Sequence, residues 1–389
     1  MRDFRNARRT AAMALLSLIV LTTTAQQRSF KWLMRQTSPE FFNHTEARQI
    51  GDQLLLYQRV TGGWPKNIDM ARPLSDEEKA QIQADHQRRD DSTTDNDATT
   101  MQMIFLAHLY QHTGDERYRD GFRRAVEYLL SGQYENGGWP QFWPEMHGYQ
   151  IHITYNDGAM VNTMQVLRDV MEQREPYQGT LTDEALRQRA EEAFNKGIDC
   201  ILTTQIVNAN GQLTVWCQQH DRETFAPAPA RSYELPSYCS MESAGIVRLL
   251  MQLPHPDERV KHAVHAAMQW FDKYKLTGYR VHRERTETGE NETMLVPDSH
   301  ADPLWARFYD LERCEPFVCD RDGIPRRHLE QIGHERRNGY SWYGNNPVEL
   351  YPLYEEWANK HDPEHKVAIS LKTKGINENG TTDWLEPWP

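Results

Sequence analysis

Two segments of this chain are near copies: LLLYQRVTGGWPKN (Leu54–Asn67) and LLSGQYENGGWPQF (Leu129–Phe142). A degenerate third copy is ILTTQIVNANGQLTVWCQQ (Ile201–Gln219), and WFDKYKLTGYRVHRE (Trp270–Glu284) is a fainter fourth. Their anchors, Gln58, Gln133 and Gln205, are almost evenly spaced. Gly-Gly-Trp-Pro cannot sit inside a helix, because glycine is too free and proline lacks the amide proton. The repeat therefore fixes where helices stop. Between the copies, apolar residues recur at helical spacing over Ala98–Gln111, Tyr118–Leu130, Ala159–Glu172, Glu184–Thr204, Ser243–Gln252 and Asp257–Tyr274. Each unit reads as helix, helix, aromatic-glycine loop. Paired helices at this period stack into α/α arrays. With only about four units available, we expect an all-α fold closed as an (α/α) toroid, its long loops gathered into a surface cleft. The Gly-Gly-Trp loops are expected to place Trp64 and Trp139 at the mouth of that cleft.

The N-terminus carries Arg2, Arg5, Arg8 and Arg9, then a short apolar run, then Thr23-Thr24-Ala25. This is the pattern of a secretory signal peptide, expected to end near residue 25. The run is too short to span a membrane. We expect one toroid domain over 26–389, secreted, not inserted in a membrane and monomeric. The formal net charge is −12, and loss of the arginine-rich leader makes it more negative. Such a chain is a poor partner for nucleic acid. A polyanionic substrate would need local arginines or a bound cation to approach it. Five cysteines follow no zinc spacing. Cys314 and Cys319 are close enough in sequence to form a pair.

Acidic residues stand where the inner helices begin: Thr94-Asp95-Asn96-Asp97, Thr154-Tyr155-Asn156-Asp157, and Glu242 in SMES. Each alone reads as a helix cap. Side by side at one end of a toroid, the same oxygens would suit Ca²⁺. Arg231 lies in the proline-rich stretch HDRETFAPAPARSYELPS, Arg307 in LWARFYD and Arg321 in CDRDGIPRR. Each is either a surface charge or a fork for a carboxylate. Carboxylates, arginines and the aromatic loops of a secreted chain point to an anionic polysaccharide. No G-x-S-x-G elbow, P-loop or H-E-x-x-H is present. The Q-x-x-x-G-G-W pattern also occurs in triterpene cyclases, but their D-x-D-D acid motif is missing.

From Phe41 to Trp357 the chain resembles the pectate lyases of polysaccharide lyase family 10. The stretches that carry the resemblance are GGWPKN, TDNDATT, NGGWPQFWP, HITYNDGAMVN, WCQQHD, ARSYELPS, LWARFYDLE, RDG and ERRNGYSWYG, in that order. The resemblance implies an α/α toroid and Ca²⁺-dependent β-elimination of polygalacturonate. It implies that Arg231 is the base that draws the C5 proton. It implies that Asp95 and Asp157 belong to the catalytic centre and serve calcium and substrate, and that Arg307 and Arg321 bind uronate carboxylates. Lys66, Asn96 and Tyr233, inside the matching stretches, are counted with Trp64 and Trp139 as further substrate contacts. Two other readings use the same residues: a pectin-binding protein without catalysis, and a toroid glycosidase with paired carboxylates as acid and base.

Overall fold

The computed structural model describes residues 29–36 and 38–371. The signal-peptide reading falls on residues 1–25, outside the described residues. The helices are α1 (Phe30–Gln36), α2 (Thr45–Tyr57), α3 (Asp76–Ala84), α4 (Thr100–Thr113), α5 (Glu116–Ser131), α6 (Ala159–Met171), α7 (Glu184–Thr204), α8 (Ser240–Met251), α9 (Glu258–Tyr274), α10 (His334–Asn338) and α11 (Leu350–His361). The hairpins α4–α5, α6–α7 and α8–α9 follow the helical periodicity of the sequence. Their ends are set by local chemistry. Gly114 ends α4 in the left-handed region, and the side chains of Asp115, Asp183 and Asp257 accept the first free amides of α5, α7 and α9.

The hairpins pack as an α/α toroid. The inner helices α4, α6 and α8 contact one another in turn, with α11 beyond α8, and α2, α5, α7 and α9 do the same outside them. Helix α4 is buried on most sides, from Gln102, Met103 and Phe105 to Leu109 and Tyr110. Helix α5 buries one stripe, Tyr118, Phe122, Ala125, Val126 and Leu129. That contrast is what a two-layer helical array requires.

The repeated glutamines tie the outer layer together. Gln58 Nε2 donates to Gly62 O in its own loop and to Gly121 O in α5, both at 2.8 Å. Gln133 Nε2 bonds Gly137 O and, in α7, Ala193 O. Gln205 Nε2 bonds Thr214 O and, in α9, Ala263 O. Each glutamine thus closes its own turn and clamps the next outer helix. The first glycine of each pair lets the turn come that close: φ is +91° at Gly137, and a Cβ there would stand 2.0 Å from Lys196 O.

Short strands supplement the helices, most of them in the C-terminal third. Strands β1 (Ile153–Thr154) and β2 (Gln219–His220) pair near α6, and β3 (Tyr238–Cys239) leads into α8. A hairpin of β4 (Tyr279–Arg285) and β5 (Asn291–Pro297) stands where the fourth echo of the repeat was expected to continue. After it come β6 (Trp305–Ala306), β7 (Phe308–Tyr309), β8 (Pro316–Cys319), β9 (Pro325–Arg326) and β10 (Tyr343–Gly344). The sheet β3-β7-β8-β9 and the pair β10-β6 carry the segments holding Arg307 and Arg321. Cys314 and Cys319 do not pair; both are free thiols, and Trp270 Nε1 donates to Cys314 Sγ at 3.2 Å. Among the described residues, no helix is long and apolar enough to cross a membrane.

Candidate active site

The acidic segments before α4 and α6 are not caps. Neither helix has a side-chain cap hydrogen bond at its start. Instead residues 95–97 and 156–158 form tight turns that pack on each other, the second also against α8. Their backbones are unusual. Asn96, Asp97, Thr99 and Asp157 all have φ between +51° and +64°, a region that side-chain-bearing residues seldom occupy and that is held only when the surroundings over-determine it. Asn162 Nδ2, from α6, ties the first turn to that helix by donating to Asp97 Oδ1 at 3.0 Å.

Asp95 is 1% exposed. Its Oδ2 accepts from Lys66 Nζ and, at 2.8 Å, from Gln141 Nε2. Its Oδ1 is buried and has no hydrogen-bond partner among the described residues. A buried carboxylate oxygen left unpaired is costly unless another group serves it. Asp157 is more open, its side chain 37% exposed. Partial burial pushes its carboxyl up, Arg307 pulls it down, and Asp95 and Glu242 push it up again, leaving it above the usual value. Asn96 bonds the Asn67 side chain beside Lys66.

The arginines form a second cluster built on two tyrosines. Arg307 is buried. Its Nη2 donates to Glu242 Oε1 at 2.5 Å and Asn156 Oδ1 at 2.8 Å, with Asp157 Oδ1 at 3.6 Å. Burial works against its charge, but Glu242 and its neighbours raise it well above the usual range. Arg231 grips Glu234: Nε reaches Oε2 at 2.7 Å and Nη2 reaches Oε1, leaving Nη1 without a hydrogen bond among the described residues. Glu234 is 1% exposed and also accepts from Tyr340 Oη at 2.7 Å. Burial disfavours the Arg231 charge, yet the bonds from Glu234 outweigh it and lift Arg231 above its ordinary value. The Tyr340 ring lies under Arg307 at 4.6 Å and under Arg231 at 5.6 Å. Arg321 is mostly exposed and forks onto Glu335.

Three of the expected substrate contacts are buried in the structure. Trp64 and Trp139 are fully buried rather than at the cleft mouth. Each indole N–H donates inward, to Leu54 O and Leu129 O respectively, both at 2.7 Å. A Gly-Gly turn needs a large apolar ring to seal it to the helix it leaves, and the indole does this while its one donor is satisfied. Tyr233 is 2% exposed. Its ring faces guanidinium groups instead of sugar, with Arg336 at 4.4 Å, Arg231 at 4.9 Å and Arg321 at 5.8 Å. Accordingly, Trp64→Phe or Trp139→Phe should lower stability by about 1–3 kcal/mol, from the lost bond and the void. The KM for polygalacturonate should stay within about twofold. Denaturant unfolding and steady-state kinetics on the same protein check both; a KM rise with unchanged stability would restore the cleft assignment.

Glu234, Tyr340 and Gln141 escaped sequence reasoning, and Glu242 was seen only as a helix start. The one local signal was Glu234 three residues after Arg231.

A family model described as pectic acid lyase matches residues 58–351. The chain belongs to the pectic acid lyase family. A family 10 polysaccharide lyase from Cellvibrio cellulosa is 34% identical, with a TM-score of 0.71, over 82% of this chain and 95% of that one. A mutant of that lyase in complex with trigalaturonic acid gives 34% identity and a TM-score of 0.70, over 82% and 96%. No curated protein matches the chain. As a polysaccharide lyase of this family the protein is an enzyme, a pectate lyase, and the glycosidase and binding-only readings fall away.

Proposed function

We propose that this pectate lyase works outside the cytoplasm, reached through the leader at residues 1–25, and cleaves polygalacturonate by Ca²⁺-dependent β-elimination with Arg231 as base. In this reaction a proton leaves C5, the C4–O4 bond breaks, a C4–C5 double bond forms, and the departing oxygen takes a proton from solvent. The observation that carries the calcium reading is the unpaired, buried Asp95 Oδ1 beside the half-open Asp157. Hard carboxylate oxygens of this kind suit Ca²⁺. Among the described residues no three His, Cys, Asp or Glu side chains gather as a ready-made metal cluster, so Asp95 and Asp157 would hold the ion with help from the substrate's own carboxylate. Bound there, Ca²⁺ supplies positive charge that stabilises the negative charge developing on the uronate.

The chain's own residues do the rest. Lys66 neutralises Asp95, and Arg307 lies beneath the acidic turns, locked by Glu242 and Asn156. Arg321 offers an exposed fork to a further uronate. Arg231 is pinned through Nε and Nη2, so its orientation is set before substrate arrives. Its raised proton affinity makes the neutral form scarce. Activity should therefore climb with pH, as deprotonated Arg231 accumulates, until the fold fails. The test of the calcium reading is removal: an excess of chelator should abolish lyase activity and added Ca²⁺ should restore it, whereas full activity in chelator would overturn it.

A further inference from the structure

A cavity of about 460 Å³ opens beside Asp157 and Arg307 and runs between α6 and α8, within the size range of small-ligand sites. One wall is Gly245, in the interior of α8. Glycine in a helix interior is destabilising and normally has a packing reason. The other helix-interior glycines have one. A Cβ at Gly51 would stand 2.2 Å from Leu109 Cδ1, at Gly121 2.5 Å from Leu55 Cδ2, and at Gly197 2.8 Å from Met164 Cε. At Gly245 the nearest atom would be Val161 Cγ1 at 4.0 Å. Packing does not require this glycine; what it preserves is the width of the cavity.

The lining says what would fit. Asn162 spends its Nδ2 on Asp97, Gln165 its Nε2 on Asp169, and Gln252 its Oε1 on Arg168. The Asn162 and Gln165 carbonyls and the Gln252 amide nitrogen carry no hydrogen bond among the described residues. Mixed amide donors and acceptors match sugar hydroxyls, which can do either. Charge argues against a second uronate. The carboxylates of Asp157 and Glu242 are part of the lining, Arg307 is committed to Glu242, and Arg248 is paired with Glu349.

Building on the lyase reading, we propose that this cavity receives a neutral, hydroxyl-rich branch of the polymer, a single neutral sugar, while the uronate that bears it sits over Asp157 and Arg307. The enzyme then cleaves branched as well as linear polygalacturonate. Gly245→Leu would narrow the cavity from the α8 wall, where a Cβ meets nothing closer than Val161 Cγ1 at 4.0 Å.

The experiment compares wild type and Gly245→Leu on linear polygalacturonate and on polygalacturonate bearing single xylose branches, following unsaturated product, with a melting curve to show that the variant is folded. Wild type should cleave both. Gly245→Leu should lose at least about tenfold in kcat/KM on the branched polymer and little on the linear one. Equal loss on both, no loss on either, or a wild type that cuts only the linear polymer overturns the branch pocket and leaves the lyase reading standing. No unsaturated product from linear polygalacturonate with wild type overturns the lyase reading and the pocket with it.

Discussion

Arg231→Ala should lower elimination by at least about a thousandfold, equivalent to roughly 4 kcal/mol of barrier, while binding of polygalacturonate survives. Binding is retained because Arg307, Arg321 and Lys66 stand on other segments. From sequence alone, little of the fold should depend on Arg231, since it sits among prolines in a loop. The structure changes that expectation. Arg231 is the charge partner of Glu234, which is buried, and removing it strands a carboxylate in the interior. Some stability is therefore lost together with turnover, and a double variant separates the two. Arg231→Ala with Glu234→Gln should recover stability and no activity. Arg231→Lys should also remain poor, because an ammonium cannot reproduce the two-pronged grip on Glu234. Kinetics and affinity measured across pH decide the point; turnover within about tenfold of wild type, near 1.4 kcal/mol, removes Arg231 as base.

Arg307→Ala should fail in a different way. Its guanidinium is buried against Glu242 and Asn156, so alanine leaves Glu242 charged in the interior without its cation, with only the Cys239 thiol donating to its Oε2. Breaking a buried pair from one side costs about 3–5 kcal/mol, and activity should fall with stability. Replacing both partners by apolar residues, Arg307→Met with Glu242→Leu, should regain most of the stability and none of the activity. Calorimetric melting and initial rates on the single and double variants check this. A double variant that is both stable and active would show that Arg307 only holds Glu242 in place.

The helical framework was readable because it rests on local rules. Helix α7 appears at Glu184–Thr204, and Gly114-Asp115 makes the turn between α4 and α5, as periodicity and capping chemistry require. The Gln58–Gln133–Gln205 rhythm was visible too, although its meaning, a clamp from each turn to the next outer helix, depends on contacts some sixty residues away. The tryptophans were misplaced because a loop position does not say which way a ring points. Trp64 turns back toward the helix it follows, where its indole finds a carbonyl. The β4–β5 hairpin was hidden by the likeness of its first strand to the repeat. At the site, the acidic turns and the arginines were legible as residue types. What set their chemistry was not: Tyr340 meets Glu234 across 106 residues, and Arg307 meets Glu242 across 65. Asp95 and Asp157 looked like caps because acidic residues before a helix usually are, and only their left-handed neighbourhood and inward bonds show otherwise.

The central claim is that these residues eliminate across the C4–C5 bond of a uronate in the presence of Ca²⁺. The most direct measurement follows two signals at once as the purified protein acts on polygalacturonate with Ca²⁺: ultraviolet absorbance of the unsaturated uronate and release of reducing ends. The account predicts that the two rise together, one double bond for each new reducing end, and that both stop in chelator. Reducing ends released without absorbance would mean that water breaks the bond, and would contradict it.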